Sequence, residues 1–194
     1  MLKDDFFRKS GSEISEGTKM NPVESAWAML GPSRESQYSD NRHAFLLTLI
    51  AGLDDRRSPA EEDKALHEAN FLAYCKTYFT TDDKSLQLMR PPHSSLDPNF
   101  GHANCFASLA QRSCSNRKLF TTAYGRFGFG SRALKKGDLC YVLFGARVPL
   151  ILRPTSRTGH FKLVGECYIH GIMRGEAVQM MKEGQYAVED VTVV

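Results

Sequence analysis

Glu166, Tyr168 and His170 are the residues whose types and spacing come closest to acid–base chemistry in this chain of 194 residues. They alternate with Cys167 and Ile169, so a β-strand sets all three on one face. A carboxylate, a phenol and an imidazole on one surface form a proton-transfer group. Their spacing opposes a direct dyad. At about 3.3 Å per residue, Glu166 and His170 lie roughly 13 Å apart along a regular strand, and a hydrogen bond needs about 3 Å. A bulge at Gly165 or Gly171 would shorten the span. Without one, these are buried, hydrogen-bonded strand residues, and no residue is assigned a catalytic role.

Other chemistries fare no better. Cys167 and His170 fall on opposite faces of the same strand, and no Cys-x-x-Cys or His-x-x-x-His accompanies them, so no metal site is expected. No Gly-x-Ser-x-Gly element marks a nucleophile. Gly125, Gly128 and Gly130 look like a phosphate loop, but such loops need a helix directly after them. Here residues 131–134 lead straight into the Lys-Lys-Gly-Asp turn at 135–138. Tight turns and bulges account for the glycines. No cofactor is expected, and small-molecule binding is disfavoured.

Charge is informative. The net charge is +3, but residues 100–165 hold eleven basic residues against one acid, Asp138, a local net of +10. That stretch can dock on the acidic first half of the chain, on another domain, or on phosphate. Arg117, Lys118, Arg126, Arg132, Arg147 and Arg153 are the candidate anion- or partner-binding residues. Nucleic-acid binding calls for exposed aromatics among the basic residues. Phe120, Tyr124, Phe127 and Phe129 are available, although core packing explains them equally well.

The elements that must position these residues are short strands divided by strong turns. Residues 118–123, 139–144, 148–153 and 161–170 read as strands. Gly145-Ala146 fits a two-residue loop with the glycine first, as a type II′ turn requires. In 139–144 both faces are apolar, so both are covered, one of them by a helix from elsewhere. Pro149 marks an edge or a bulge. Residues 40–53 form a helix capped by Asp40 and apolar around most of its circumference, suited to cover the sheet. Ser58-Pro59-Ala60-Glu61 is a capping box for a second helix. Asp97-Pro98 opens a third, with Phe100, Ala103, Ala107 and Ala110 as a narrow packing stripe. A short helix at 176–183 and a last strand at 187–194 follow.

The fold class is α+β: N-terminal helices packed on a C-terminal antiparallel β meander or small barrel. Residues 1–39 read as a mobile polar segment with one short helix at 23–30. Residues 40–116 are the helical part and 117–194 the basic β module, with 40–194 as one folded unit. The five cysteines, Cys75, Cys105, Cys114, Cys140 and Cys167, are odd in number and not closely spaced. They read as reduced, core-packed thiols. No stretch is apolar enough for a membrane span, and the acidic start does not suit a signal peptide, so a cytoplasmic setting is expected.

The runs RKLFTTAYGRFGFG, KKGDLCYVLFGARVPLILRP and FKLVGECYIHGIMRGEA, in that order, closely resemble the C-terminal region of fungal heterokaryon-incompatibility (HET) domain proteins. Arg117, Thr121, Gly125, Gly137, Asp138, Gly145, Pro149, Arg153, Gly165, Glu166, Tyr168, His170, Gly171, Met173, Gly175 and Glu176 carry the match. The Tyr-x-Ala-Leu-Ser-Tyr-x-Trp-Gly and Trp-x-Asp-x-x-Cys-Ile-Asn-Gln elements of the N-terminal HET domain are absent from this sequence. The single tryptophan, Trp27, belongs to neither. The resemblance implies a protein of the fungal non-self recognition and cell-death class, with Met1 open as an internal methionine. It implies a non-catalytic scaffold, regulatory or partner-binding role, its partner being another protein or the HET domain itself. The alternative is a small enzyme, nucleotide-binding or nucleic-acid-binding protein working through Glu166, Tyr168 and His170, with nucleic acid the disfavoured ligand.

Overall fold

The computed structural model describes residues 2–5, 23, 34–78 and 101–194, and these form two compact units. One is helical and lies within residues 11–115; the other unites residues 116–194 with the N-terminal strand. The fold is α+β, as expected.

In the helical unit, α1 spans Arg34–Leu49, α2 Lys64–Tyr78 and α3 Ala103–Cys114. Phe45, Leu46, Leu47, Leu49 and Ile50 are buried, as the apolar run predicts. The helix starts earlier than Asp40, which lies inside it, and stops before Leu53. The stop is a Schellman closure: Gly52 N–H donates to Leu47 O at 2.8 Å and Ala51 N–H to Thr48 O at 2.9 Å. Ala51 occupies the left-handed position at φ 53.

The capping box at Ser58 does not form. A 3-10 turn, Ala60–Asp63, precedes α2, and Asp63 Oδ1 accepts the Leu66 N–H at 3.2 Å. Ser58 N–H is itself engaged by Asp54 Oδ1 at 2.6 Å, so the Asp54 turn outcompetes the box and moves the cap to Asp63. Asp97-Pro98 and Phe100 lie outside the described residues. The packed face of α3 is Phe106, Leu109, Ala110 and Cys114; of the alanine stripe only Ala110 is buried, with Ala103 and Ala107 half-buried. Phe106 sets its ring edge-on to Phe71, centroids 5.0 Å apart, and large rings give more burial than alanines can. The close approach comes just before the helix, where a Cβ on Gly101 would stand 2.0 Å from Ala69 O. Of the helix expected at 23–30, only Val23 is described; it is helical and fully buried. Cys105 is exposed, on the outer face of α3, and departs from the core reading of the cysteines.

The second unit holds eight strands among the described residues: β1 Leu2–Asp5, β2 Arg117–Thr121, β3 Phe127–Ser131, β4 Leu139–Val142, β5 Leu150–Pro154, β6 His160–Glu166, β7 Tyr168–Ile169 and β8 Thr192–Val193. A short helix, α4, spans Glu176–Lys182. Five strands pair in the order β1-β4-β5-β6-β8 and three in the order β2-β3-β7. The chain passes between the sheets at one residue, Cys167, so the sheet system curls into a small barrel-like unit. All pairings are antiparallel except β6 with β8. Residues 2–5, within the segment read as mobile, pair with β4. Without them β4 would present an open row of backbone donors and acceptors.

Both faces of the β4–β5 region are buried, as expected. Cys140 and Ile151 join Phe120, Leu134, Cys167, Ile169, Ile172 and Ala177 on one side. Tyr141, Leu152 and Phe161 pack with Val191 on the other. Tyr141 Oη donates to Glu189 at 2.6 Å, so the C-terminal segment supplies cover that had been assigned to a helix. Phe144, expected inside, is exposed because β4 ends at Val142. Gly145 is the third residue of a turn closed by Ala146 N–H to Leu143 O, with φ 87, rather than the first central residue of a type II′ loop. Pro149 stands just ahead of β5, where no ladder donor is needed, and its carbonyl accepts the Cys167 N–H at 3.0 Å.

Candidate functional site

The expected acid–base group divides. The register passes from Ile151↔Gly165 to Leu152↔Leu163, so Val164 is an extra residue and Gly165, at φ 152, bends the strand. β6 pairs with β5 on to Glu166, and after Cys167 the chain enters the other sheet, where Tyr168 pairs with Phe129. Tyr168 Oη and His170 Nδ1 meet at 3.3 Å. Glu166 is exposed and hydrogen bonds with neither. The bulge foreseen as a means of closing the triad lies ahead of all three residues and does not close it; the change of sheet at Cys167 separates them, with Tyr168 buried, His170 half-buried and Glu166 outside.

Asp138 and Arg153 form the tightest polar centre in the unit. Asp138 is 1% exposed. Arg153 Nε donates to its Oδ1 at 2.6 Å and Nη2 to its Oδ2 at 2.9 Å, a two-pronged contact. Nη2 also donates to Ala133 O at 2.7 Å, and the Lys135 N–H donates to Asp138 Oδ2 at 2.8 Å. The hydrogen bond to Asp138 raises the Arg153 pKa further. The contact fixes the turn at 135–138, where Gly137 takes φ 91. Arg153 is thus occupied within the fold and is not open to an outside anion.

The other basic candidates scatter. Arg126 is half-buried at the β2–β3 turn, its Nη1 3.4 Å from Gly171 O and its Nη2 3.4 Å from Met180 Sδ. Arg147 is exposed in the β4–β5 connection. Arg117, Lys118 and Arg132 come together: Arg117 pairs with Ser131, Lys118 with Gly130, and Lys118 Nζ donates to Leu134 O at 3.3 Å. Lys135 and Lys136 follow in the same connection. All five are exposed, and among the described residues none makes an ion pair. Lys135 and Lys136 were missed as candidates. The signal was present, since the one acid in residues 100–165 directly follows Gly137, but its pairing with Arg153 is a tertiary fact.

The remaining motif positions are structural. Gly125, Gly145, Gly171 and Gly175 sit at turns, Thr121 closes β2, and Met173 Sδ accepts the Ile169 N–H at 3.4 Å. Glu176 accepts the Arg174 N–H. Gly128 and Gly130 are neither turn nor bulge. They lie inside β3, where a Cβ on Gly128 would stand 2.5 Å from the Phe120 ring and 2.6 Å from Tyr168 O. Phe120, Phe127 and Phe129 are buried, which removes them as stacking platforms; Tyr124 stays exposed. Among the described residues no cluster of three or more metal-ligating side chains occurs, and no helix is long and apolar enough to cross a membrane.

An α+β chain with a curled, glycine-punctuated β unit, latched by one internal ion pair, defines a small barrel-type module. The chain belongs to the Het-6 beta-barrel domain family, whose model matches residues 22–188. It is similar to "Heterokaryon incompatibility protein 6, OR allele" of Neurospora crassa, at 28% identity over 131 residues. The match covers 62% of this chain and 19% of that relative. No solved structure matches. The chain is therefore related to heterokaryon-incompatibility proteins through this domain and spans about a fifth of that relative's length.

Proposed function

We propose that this chain is a non-catalytic, partner-binding module, and that it docks an acidic protein surface through Arg117, Lys118, Arg132, Lys135 and Lys136. One observation carries this reading. The single acid among residues 100–165 is buried on Arg153, and among the described residues the neighbouring exposed cations make no ion pair. A one-signed patch of this kind steers an oppositely charged partner and sets its orientation. The separation of Glu166 from Tyr168 and His170 supports a role without catalysis. The odd number and wide spacing of the five cysteines support a cytoplasmic setting. The partner is a second protein or a HET domain.

The test uses a fluorescent poly-glutamate peptide titrated against the full chain and against Arg132→Glu/Lys135→Glu/Lys136→Glu. The expected result is salt-sensitive binding that weakens at least tenfold in the variant, while Arg147→Glu binds as the parent does. Equal binding by parent and triple variant overturns the reading. Stronger binding to duplex DNA, with a steep salt slope, replaces the protein partner with nucleic acid.

A further inference from the structure

We infer that Cys140 and Cys167 form an oxidant-sensitive dithiol that closes to a disulfide across the barrel interior. Cys140 belongs to β4, and Cys167 is the one residue between β6 and β7, where the chain leaves one sheet for the other. Their Sγ atoms stand 3.8 Å apart although the residues are 27 positions apart in sequence. They are 1% and 4% exposed. Cys167 is held there by its backbone, whose N–H donates to Pro149 O at 3.0 Å. Strand pairing thus places the two backbones on either side of β5, and rotation of the side chains brings the sulfurs together.

A sulfur–sulfur bond is about 2.05 Å long, so closure asks for an approach of roughly 2 Å. The oxidant is hydrogen peroxide, small enough to enter when the edge opens. The opening lies at hand, because the β5–β6 ladder carries the Val164 bulge and ends at Cys167, where the chain leaves it for a two-residue strand of the other sheet. One thiolate attacks a peroxide oxygen and releases hydroxide, leaving a sulfenic acid. The second thiolate attacks that sulfur and expels hydroxide. Two electrons pass from the thiols to the peroxide, and the two thiol protons convert both hydroxides to water. The product ties β4 to the crossing between the sheets. Cys105, exposed on α3, lies in the other unit and stops at the sulfur acids or bridges two molecules.

The full chain carrying Cys105→Ser is treated with hydrogen peroxide, alkylated in denaturant and mapped by mass spectrometry without reduction. The expected product is a peptide pair joined through Cys140 and Cys167, released by dithiothreitol. It is absent from both Cys140→Ala and Cys167→Ala; using the two variants, each checked by thermal melt, separates loss of a sulfur from loss of fold. Peroxide that fully oxidises Cys105 in the parent while Cys140 and Cys167 remain alkylatable overturns the inference. So does sulfinic acid at either position with no linked peptide, or a link to Cys75 or Cys114. The outcome is independent of whether the basic patch binds a partner.

Discussion

Arg153 and the exposed patch carry the same kind of charge and meet opposite fates. Arg153 lies on a central strand, opposite a turn that delivers a buried carboxylate, and all of its hydrogen bonds go inward. Arg117, Lys118, Arg132, Lys135 and Lys136 lie at the rim of the three-stranded sheet and in the connection that follows it, with solvent around them. The difference separates two uses of a basic residue. A planar guanidinium held on two carboxylate oxygens sets backbone geometry. A loose cluster with no counter-ion shapes the field outside the protein.

Removing the acid tests the inward side most severely. Asp138→Ala strips Arg153 and the Lys135 N–H of their acceptor and is expected to cost about 2–3 kcal/mol, toward the lower end for a broken ion pair because the Arg153 side chain is a third exposed. Urea unfolding measures it, and a loss below about 1 kcal/mol would show that the pair does not hold the turn. Arg153→Lys keeps the charge, loses the fork and is expected to cost about half as much.

A smaller effect of opposite sign is expected in the helical unit. Ala51→Gly relieves the left-handed residue that closes α1 and should stabilise by about 0.5–1 kcal/mol in the same assay. No gain would mean that the Schellman closure stores no strain.

His67 gives a pH signature. Burial lowers its pKa, against a weaker opposite pull from Asp63, Asp54 and Asp55. The unfolded chain therefore binds the proton more readily. Stability is expected to fall as pH drops below 6.5, the ordinary histidine value, and to level off once the folded state also protonates. Unfolding midpoints across that range, with and without His67→Gln, give the slope; an unchanged slope in the variant would assign the effect elsewhere.

The smallest change in stability is expected for Arg132→Glu/Lys135→Glu/Lys136→Glu, within about 0.5 kcal/mol of the parent, because exposed charges contribute little to folding. A large loss would erase the contrast with Arg153 by showing that the patch also serves the fold.

Much of this was legible residue by residue. The strand rhythm after residue 117, the apolar helix around Phe45 and Leu49, and coverage of both faces near Tyr141 follow from side-chain type and spacing. The caps were less legible. Ser58 and Glu61 have the right chemistry, yet Asp54 binds the Ser58 N–H first and Asp63 becomes the cap. Glycines were read for conformational freedom, whereas Gly128 is small because the Phe120 ring and Tyr168 O lie over it, and Gly130 because Ile151 and Leu134 do.

Local chemistry thus determined the class of fold, the family motif and the concentration of positive charge in residues 100–165. Those properties depend on neighbours along the chain, where period and turn chemistry act directly. Tertiary structure alone decided that Asp138 belongs to Arg153, that the change of sheet at Cys167 parts Glu166 from Tyr168 and His170, and that Cys140 meets Cys167. Each of these depends on register and sheet curl summed over strands distant in sequence, and no short window of residues contains that sum.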